Sequence, residues 1–178
     1  SMPPGSNLMN CHYVFDAKPR ADGSVEKFKA RLVADGNTQQ QGVDFDAVFA
    51  TVVKLPSVRL VLALAARHGW GLWQFDVKQA FLQADLQEPL YMRMPPNLPD
   101  RDADGQLLVC KLNKTLYGLG QSARAWFDKL HETLLAFGFR QSVIDTCIYT
   151  CGSDKTWLLL CVYVDDLVLA YAAEAARA

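Results

Sequence analysis

The stretch Trp157–Ala170 constrains this chain more than any other. Two apolar arms of strand length, rich in branched side chains, flank one pair of adjacent carboxylates, Asp165 and Asp166. The gap between the arms suits a tight hairpin with both acids at its bend. Two like charges about 4 Å apart cost about 4 kcal/mol at an effective dielectric of about 20. Either a proton is shared or a cation sits there, and magnesium is the natural counter-charge for a site made of oxygens. A solvated turn carries the same residues, since Asp is a common turn former. A third carboxylate elsewhere decides between the two.

The rest of the chain bounds the answer. At 178 residues and 51% hydrophobic content it is a globular chain with a real core. Its net charge of -1 and pI of about 6.3 argue against whole-chain attraction to nucleic acid and leave room only for a local basic groove. The five cysteines (Cys11, Cys110, Cys147, Cys151 and Cys161) are odd in number and form no CxxC pair. Reduced, buried thiols of an intracellular protein, cytoplasmic or nuclear, are expected. Cys147 and Cys151 read as sharing one side of a strand, which fits packing or a zinc pair. His12, His68 and His131 show no ligand spacing. No signal peptide and no membrane-spanning run is expected. Ser1–Asn7 reads as linker.

Cys11–Asp16 and Val25–Ala34 read as a hairpin around the turn Ala21–Ser24. Alternation along the second strand puts Lys27, Lys29 and Arg31 on one face, with Phe28, Ala30 and Leu32 on the other. Such a row of cations is a clamp for phosphates or simply a solvated face. Asp35–Ala50 reads as loop. Pro56–Arg67 reads as a helix that is apolar nearly all round, hence buried, with Gly69 past its end. Leu72–Val77 is a strand, and Asp76 at its end is the candidate third carboxylate. Phe81 follows on a short helical turn. Pro89–Met94 and Leu107–Leu112 read as strands around the loop Pro95–Gly105. Tyr117, Gly118 and Gly120 mark a bend whose glycines let backbone approach a ligand. A helix opens at Ser122 and ends before Gly138, with Ala123, Trp126, Phe127, Leu130, Leu134 and Phe137 on its apolar face. Thr146–Cys151 is a strand, and Ala172–Ala178 starts a helix. The fold class is α+β, a mainly antiparallel sheet with helices on one face.

Several blocks then occur in a characteristic order: Lys29–Ala34, Val53–Leu55, Gln74–Leu82, Leu90–Met92, Cys110–Leu112, Leu116–Leu119, Gln121–Ser122, Arg124–Trp126 and Tyr163–Asp166. Together they closely resemble the reverse transcriptase of copia-type LTR retrotransposons, over about Tyr13 to Tyr171. The resemblance implies a right-hand polymerase with a palm and a fingers lobe. Fingers would comprise 1–54 and 84–120, and palm 55–83 and 121–178, with the thumb and RNase H parts of a parent polyprotein missing. It implies RNA-directed DNA synthesis: two-metal nucleotidyl transfer from a dNTP to a primer 3′-hydroxyl on an RNA or DNA template. It assigns Asp76, Asp165 and Asp166 as the catalytic, metal-binding triad, with the carbonyl of Val77 completing the shell of two Mg2+ ions, or Mn2+ in their place. This agrees with the chemistry, since phosphoryl transfer uses paired divalent ions. Lys29 and Arg31 resemble the cations that grip the triphosphate. Phe81 resembles the aromatic gate against a ribose 2′-hydroxyl, and Tyr117 and Gly118 the bend under the nucleotide.

The sequence also departs from the copia-type pattern. Asp35 and Gly120 stand where Lys is usual, Asn37 where an aromatic is usual, and Thr51 and Ala123 where Pro is usual. Two lost cations weaken the hold on phosphate. The competing expectation is therefore a transposon-derived, non-catalytic relic that serves as a nucleic-acid or protein binding module.

Overall fold

Among the described residues, apolar alternation and turn residues set out short strands and three α-helices. The structure, a computed structural model, describes residues 2–40, 42, 44, 45 and 50–172, and only the backbone of 154. In chain order these carry β1 (Leu8–Met9), β2 (Cys11–Pro19), β3 (Val25–Ala34), α1 (Leu55–His68), β4 (Gly71–Asp76), α2 (Ala80–Gln83) and β5 (Asp85–Arg93). There follow β6 (Val109–Lys114), α3 (Ser122–Ala136), β7 (Arg140–Gln141), β8 (Ile148–Cys151), β9 (Leu158–Tyr163) and β10 (Asp166–Tyr171). The chain divides into two units, one of Ser1–Val48 with Phe81–Ala125, the other of Phe49–Ala80 with Trp126–Ala178.

The first unit holds the β2–β3 hairpin and a three-stranded sheet in the order β1-β5-β6. β1 runs parallel to β5, and the other neighbours are antiparallel. Met9, Ala34, Leu90, Met92 and Leu119 form its core. Met9 is fully buried, so the ordered core begins directly after Ser1–Asn7. The Asn7 side chain donates to the carbonyl of Thr38 and to the carboxylate of Asp44. Those partners lie far along the sequence, where local composition has no view of them. In the hairpin, Lys27, Lys29 and Arg31 oppose Lys18, Asp16 and Val14. The other face exposes Phe15 and Phe28, each about three-quarters accessible.

The second unit is one antiparallel sheet in the order β4-β10-β9-β8-β7. α1 begins with Pro56 in its first turn and stops at Gly69, whose φ of 65° only glycine adopts readily. Val61 and Ala65 pack against Ile148, Cys161 and Ala170. The expectation of a helix buried all round is corrected: Leu55, Leu60 and Leu62 are exposed, because the helix lies on one sheet face and buries one stripe.

The expectation of helices on one face is corrected as well. On α3, Trp126, Leu130 and Leu134 are buried, and His131 Nδ1 lies 3.0 Å from the Tyr149 hydroxyl. Tyr149 pairs with Leu160, which alternates with Cys161, so α3 meets the face opposite α1. The reason is in the sequence: Leu158–Val162 is apolar without interruption, and such a strand needs cover on both sides. Phe137, expected on the buried stripe, falls beyond the last helical residue and is exposed.

Asp145 ties the second unit together. Its buried carboxylate accepts the Lys54 N–H at 3.0 Å, the Ser57 hydroxyl at 2.6 Å and the Cys147 N–H at 3.1 Å. Burial alone pushes its pKa up, but these hydrogen bonds outweigh that and hold it below the usual carboxylate value. Burial, with the Asp145 charge nearby, pushes the Cys147 and Cys161 thiols up to about 11. All five cysteines are free, and Cys147 is fully buried, as packing requires. The helix expected at Ala172–Ala178 lies outside the described residues after Ala172, as does part of the loop Asp35–Ala50.

Candidate active site

β4 ends at Asp76 and β10 starts at Asp166, and the two are direct cross-strand partners. Their side chains therefore share one sheet face, with Cβ atoms about 4.5–5.5 Å apart. One residue on, the Val77 N–H donates to the Asp165 carbonyl at 2.8 Å. The backbones of the three acids thus meet at one end of the sheet.

The bend differs from the sequence expectation. Tyr163 pairs with Asp166, so the two turn residues are Val164 and Asp165, and Asp166 already belongs to β10. Val164 has a φ of 55°, whereas Asp165 is not among the residues of positive φ. Positive φ at the first central position alone is the II′ pattern, where glycine is the usual residue. A β-branched residue is strained there. Its carbonyl accepts the Trp126 indole N–H at 2.7 Å.

The donor set at this end suits a hard divalent ion, because the paired side chains offer only carboxylate oxygens. Asp76 and Asp166 are exposed, and Asp165 is half-buried. Among the described residues, no group of three or more His, Cys, Asp or Glu side chains is already drawn together around an ion-sized space. Two carboxylates share a face and the third is joined to them through the backbone.

The other candidate residues belong to the first unit. The Arg31 guanidinium lies 5.9 Å from the centroid of the Tyr117 ring. Tyr117 meets Phe81 edge to face, with centroids 5.1 Å apart. Phe81 does sit in a short helix, α2. Lys29 opposes Asp16, and Lys27 is exposed opposite Lys18, which pairs with Glu26 at 2.7 Å. Asp35 lies 2.7 Å from His12 Nδ1. At Gly118 φ is 91°, and a Cβ would sit 2.1 Å from the Ala34 carbonyl oxygen. The Ala34 N–H bonds the Tyr117 carbonyl at 2.8 Å. Gly118 is therefore required by two backbones in contact.

Three supporting groups escaped the sequence reading. Thr115, fully buried, donates its hydroxyl to the Phe81 carbonyl and its N–H to the Ala84 carbonyl. Gln39 accepts the Gly120 N–H at 2.7 Å and donates to Gln121 at 2.9 Å. Trp126 reads as a core residue by periodicity, and nothing in the sequence marks its indole N–H as a turn anchor.

The family described as "Reverse transcriptase (RNA-dependent DNA polymerase)" matches residues 1–175. The chain is 41% identical over 169 residues to the "Retrovirus-related Pol polyprotein from transposon RE1" of Arabidopsis thaliana, covering 94% of this chain and 11% of that protein. It is 38% identical over 169 residues to the corresponding polyprotein from transposon TNT 1-94 of Nicotiana tabacum, covering 94% of this chain and 13% of that protein. It is 30% identical over 162 residues to the "Transposon Ty1-MR1 Gag-Pol polyprotein" of Saccharomyces cerevisiae, covering 91% of this chain and 8% of that protein. The chain thus spans roughly a tenth of the curated relatives it matches. It belongs to the reverse transcriptase (RNA-dependent DNA polymerase) family, with copia-type retrotransposon Pol polyproteins among its relatives.

Proposed function

We propose that this chain carries the nucleotidyl-transfer site of an RNA-directed DNA polymerase, with Asp76, Asp165 and Asp166 as the ligands of two divalent ions. The observation that supports this is the strand register pairing Asp76 with Asp166, together with the Val77 bond to Asp165. The Val77 carbonyl would complete the ion shell. Bound ions would activate the primer 3′-hydroxyl and neutralise the triphosphate. The chain's own part is to hold, orient and screen. The carboxylates fix the ions, and Lys29 and Arg31 supply counter-charge to the triphosphate. Phe81 abuts the sugar of the dNTP, and Tyr117 with Gly118 supports its base. On this reading the first unit belongs to fingers and the second to palm. The primed template and the remaining parts of a parent polyprotein are the partners.

The test is dNTP binding by calorimetry with and without magnesium. Binding that needs magnesium and disappears in Asp76→Asn supports the assignment. Binding that ignores both the metal and the substitution supports the non-catalytic relic instead. In primer extension, this chain by itself is expected to give short products or none.

A further inference from the structure

The turn carrying Asp165 is held in place by groups outside its own hairpin. Val164 is β-branched and sits at a φ of 55°, a backbone region that such side chains avoid. Strain of this kind persists only where the surroundings over-determine it. Two outside donors do so. The Trp126 indole N–H reaches the Val164 carbonyl at 2.7 Å, and the Val77 N–H reaches the Asp165 carbonyl at 2.8 Å. Both carbonyls of the turn are therefore claimed by donors that the hairpin does not supply. Trp126 is itself 6% exposed, so its ring is packed in place. A buried indole N–H needs an acceptor, and the Val164 carbonyl is the one it meets.

We infer that Trp126 is a positioning residue for the divalent-ion site: its indole N–H holds the Val164–Asp165 turn in the strained form that keeps the Asp165 backbone next to those of Asp76 and Asp166. The inference rests on the ion-binding role proposed above. It makes ion affinity depend on a side chain that touches no ion. It also accounts for a valine at a position where glycine would be relaxed, because the strain is offset from α3 rather than from within the turn.

The experiment compares Trp126→Phe, Val164→Gly and the double variant with the unaltered chain. Mn2+ binding is read by electron paramagnetic resonance, and Val77 amide exchange by NMR without metal. Trp126→Phe is expected to weaken Mn2+ binding about tenfold, the share of one hydrogen bond, and to expose the Val77 amide to exchange. Adding Val164→Gly restores both, because glycine adopts the turn unaided. A merely structural tryptophan would lower the melting temperature and leave both readouts of the folded chain unchanged, which overturns the inference. Failure of glycine to restore either readout in a folded double variant also overturns it. If Trp126→Phe does not fold, benzothienylalanine at 126 removes the N–H at nearly constant shape, and the same outcomes apply. If the unaltered chain binds no Mn2+, the proposed function falls, and Val77 exchange still decides whether Trp126 sets the turn.

Discussion

The Val77 N–H donates to the Asp165 carbonyl across 2.8 Å, joining the end of β4 to the β9–β10 turn. This bond continues the Asp76–Asp166 register by one step, to the third acid. It uses backbone only, so it survives side-chain substitution at either acid. Variants at Asp76 and Asp166 therefore report on charge rather than on chain path.

Removing one acid should change stability with opposite sign in the presence and absence of ions. Like charges directly opposite on neighbouring strands are destabilising. Asp76→Asn is therefore expected to raise the stability of the ion-free chain by about 0.5 kcal/mol. At saturating Mg2+ the order reverses, because ligand binding stabilises the unaltered chain more. Thermal melts with EDTA and with Mg2+ check both signs.

Val164→Gly is expected to stabilise the second unit by about 1 kcal/mol, since it removes a left-handed backbone penalty of about 1–2 kcal/mol at the cost of extra freedom in the unfolded chain. Val164→Ala keeps the Cβ and should gain little. Urea midpoints of the two variants, compared at constant m-value, measure the difference.

Asp145→Asn should cost about 2–3 kcal/mol at neutral pH, because charge-assisted bonds to Ser57, Lys54 and Cys147 are weakened or reversed. The folded-state pKa of Asp145 is lowered. Its contribution is therefore complete above the unfolded carboxylate value of about 3.9 and is lost as pH falls through the folded value. The gap between Asp145→Asn and the unaltered chain should narrow below about pH 4. Urea midpoints at pH 7 and pH 3 test the sign.

Gly118→Ala should destabilise the first unit by about 3 kcal/mol or more, combining a positive-φ penalty with a backbone clash. The new Cβ would lie 2.1 Å from the Ala34 oxygen. Amide exchange at Ala34, whose N–H bonds the Tyr117 carbonyl, is the local readout.

Much of this was legible in the residues. The alternation of β3, the caps of α1 and the apolar arms around Asp165 each follow from local rules, and the strands appear where those rules place them. The acid at the end of an apolar strand, Asp76, could be picked out from its neighbours alone. What escaped the sequence is set by pairing at a distance. The bend moved by one residue because propensity favours two aspartates over a valine in a turn, while the register of β9 and β10 left no choice. The two-faced cover of the sheet was written in the run Leu158–Val162, but locally connected strands with helices between them suggest cover on one face. The roles of Thr115, Gln39 and Trp126 rest on single hydrogen bonds to distant segments, which no spacing rule encodes.

The central claim is that Asp76, Asp165 and Asp166 act as one ion site. Counting bound Mn2+ by electron paramagnetic resonance tests it most directly, using the unaltered chain beside Asp76→Asn and Asp166→Asn. Saturable binding is expected in the unaltered chain, weakened by tenfold or more in each variant, a loss of about 1.4 kcal/mol or greater. Equal Mn2+ binding in all three proteins would contradict it.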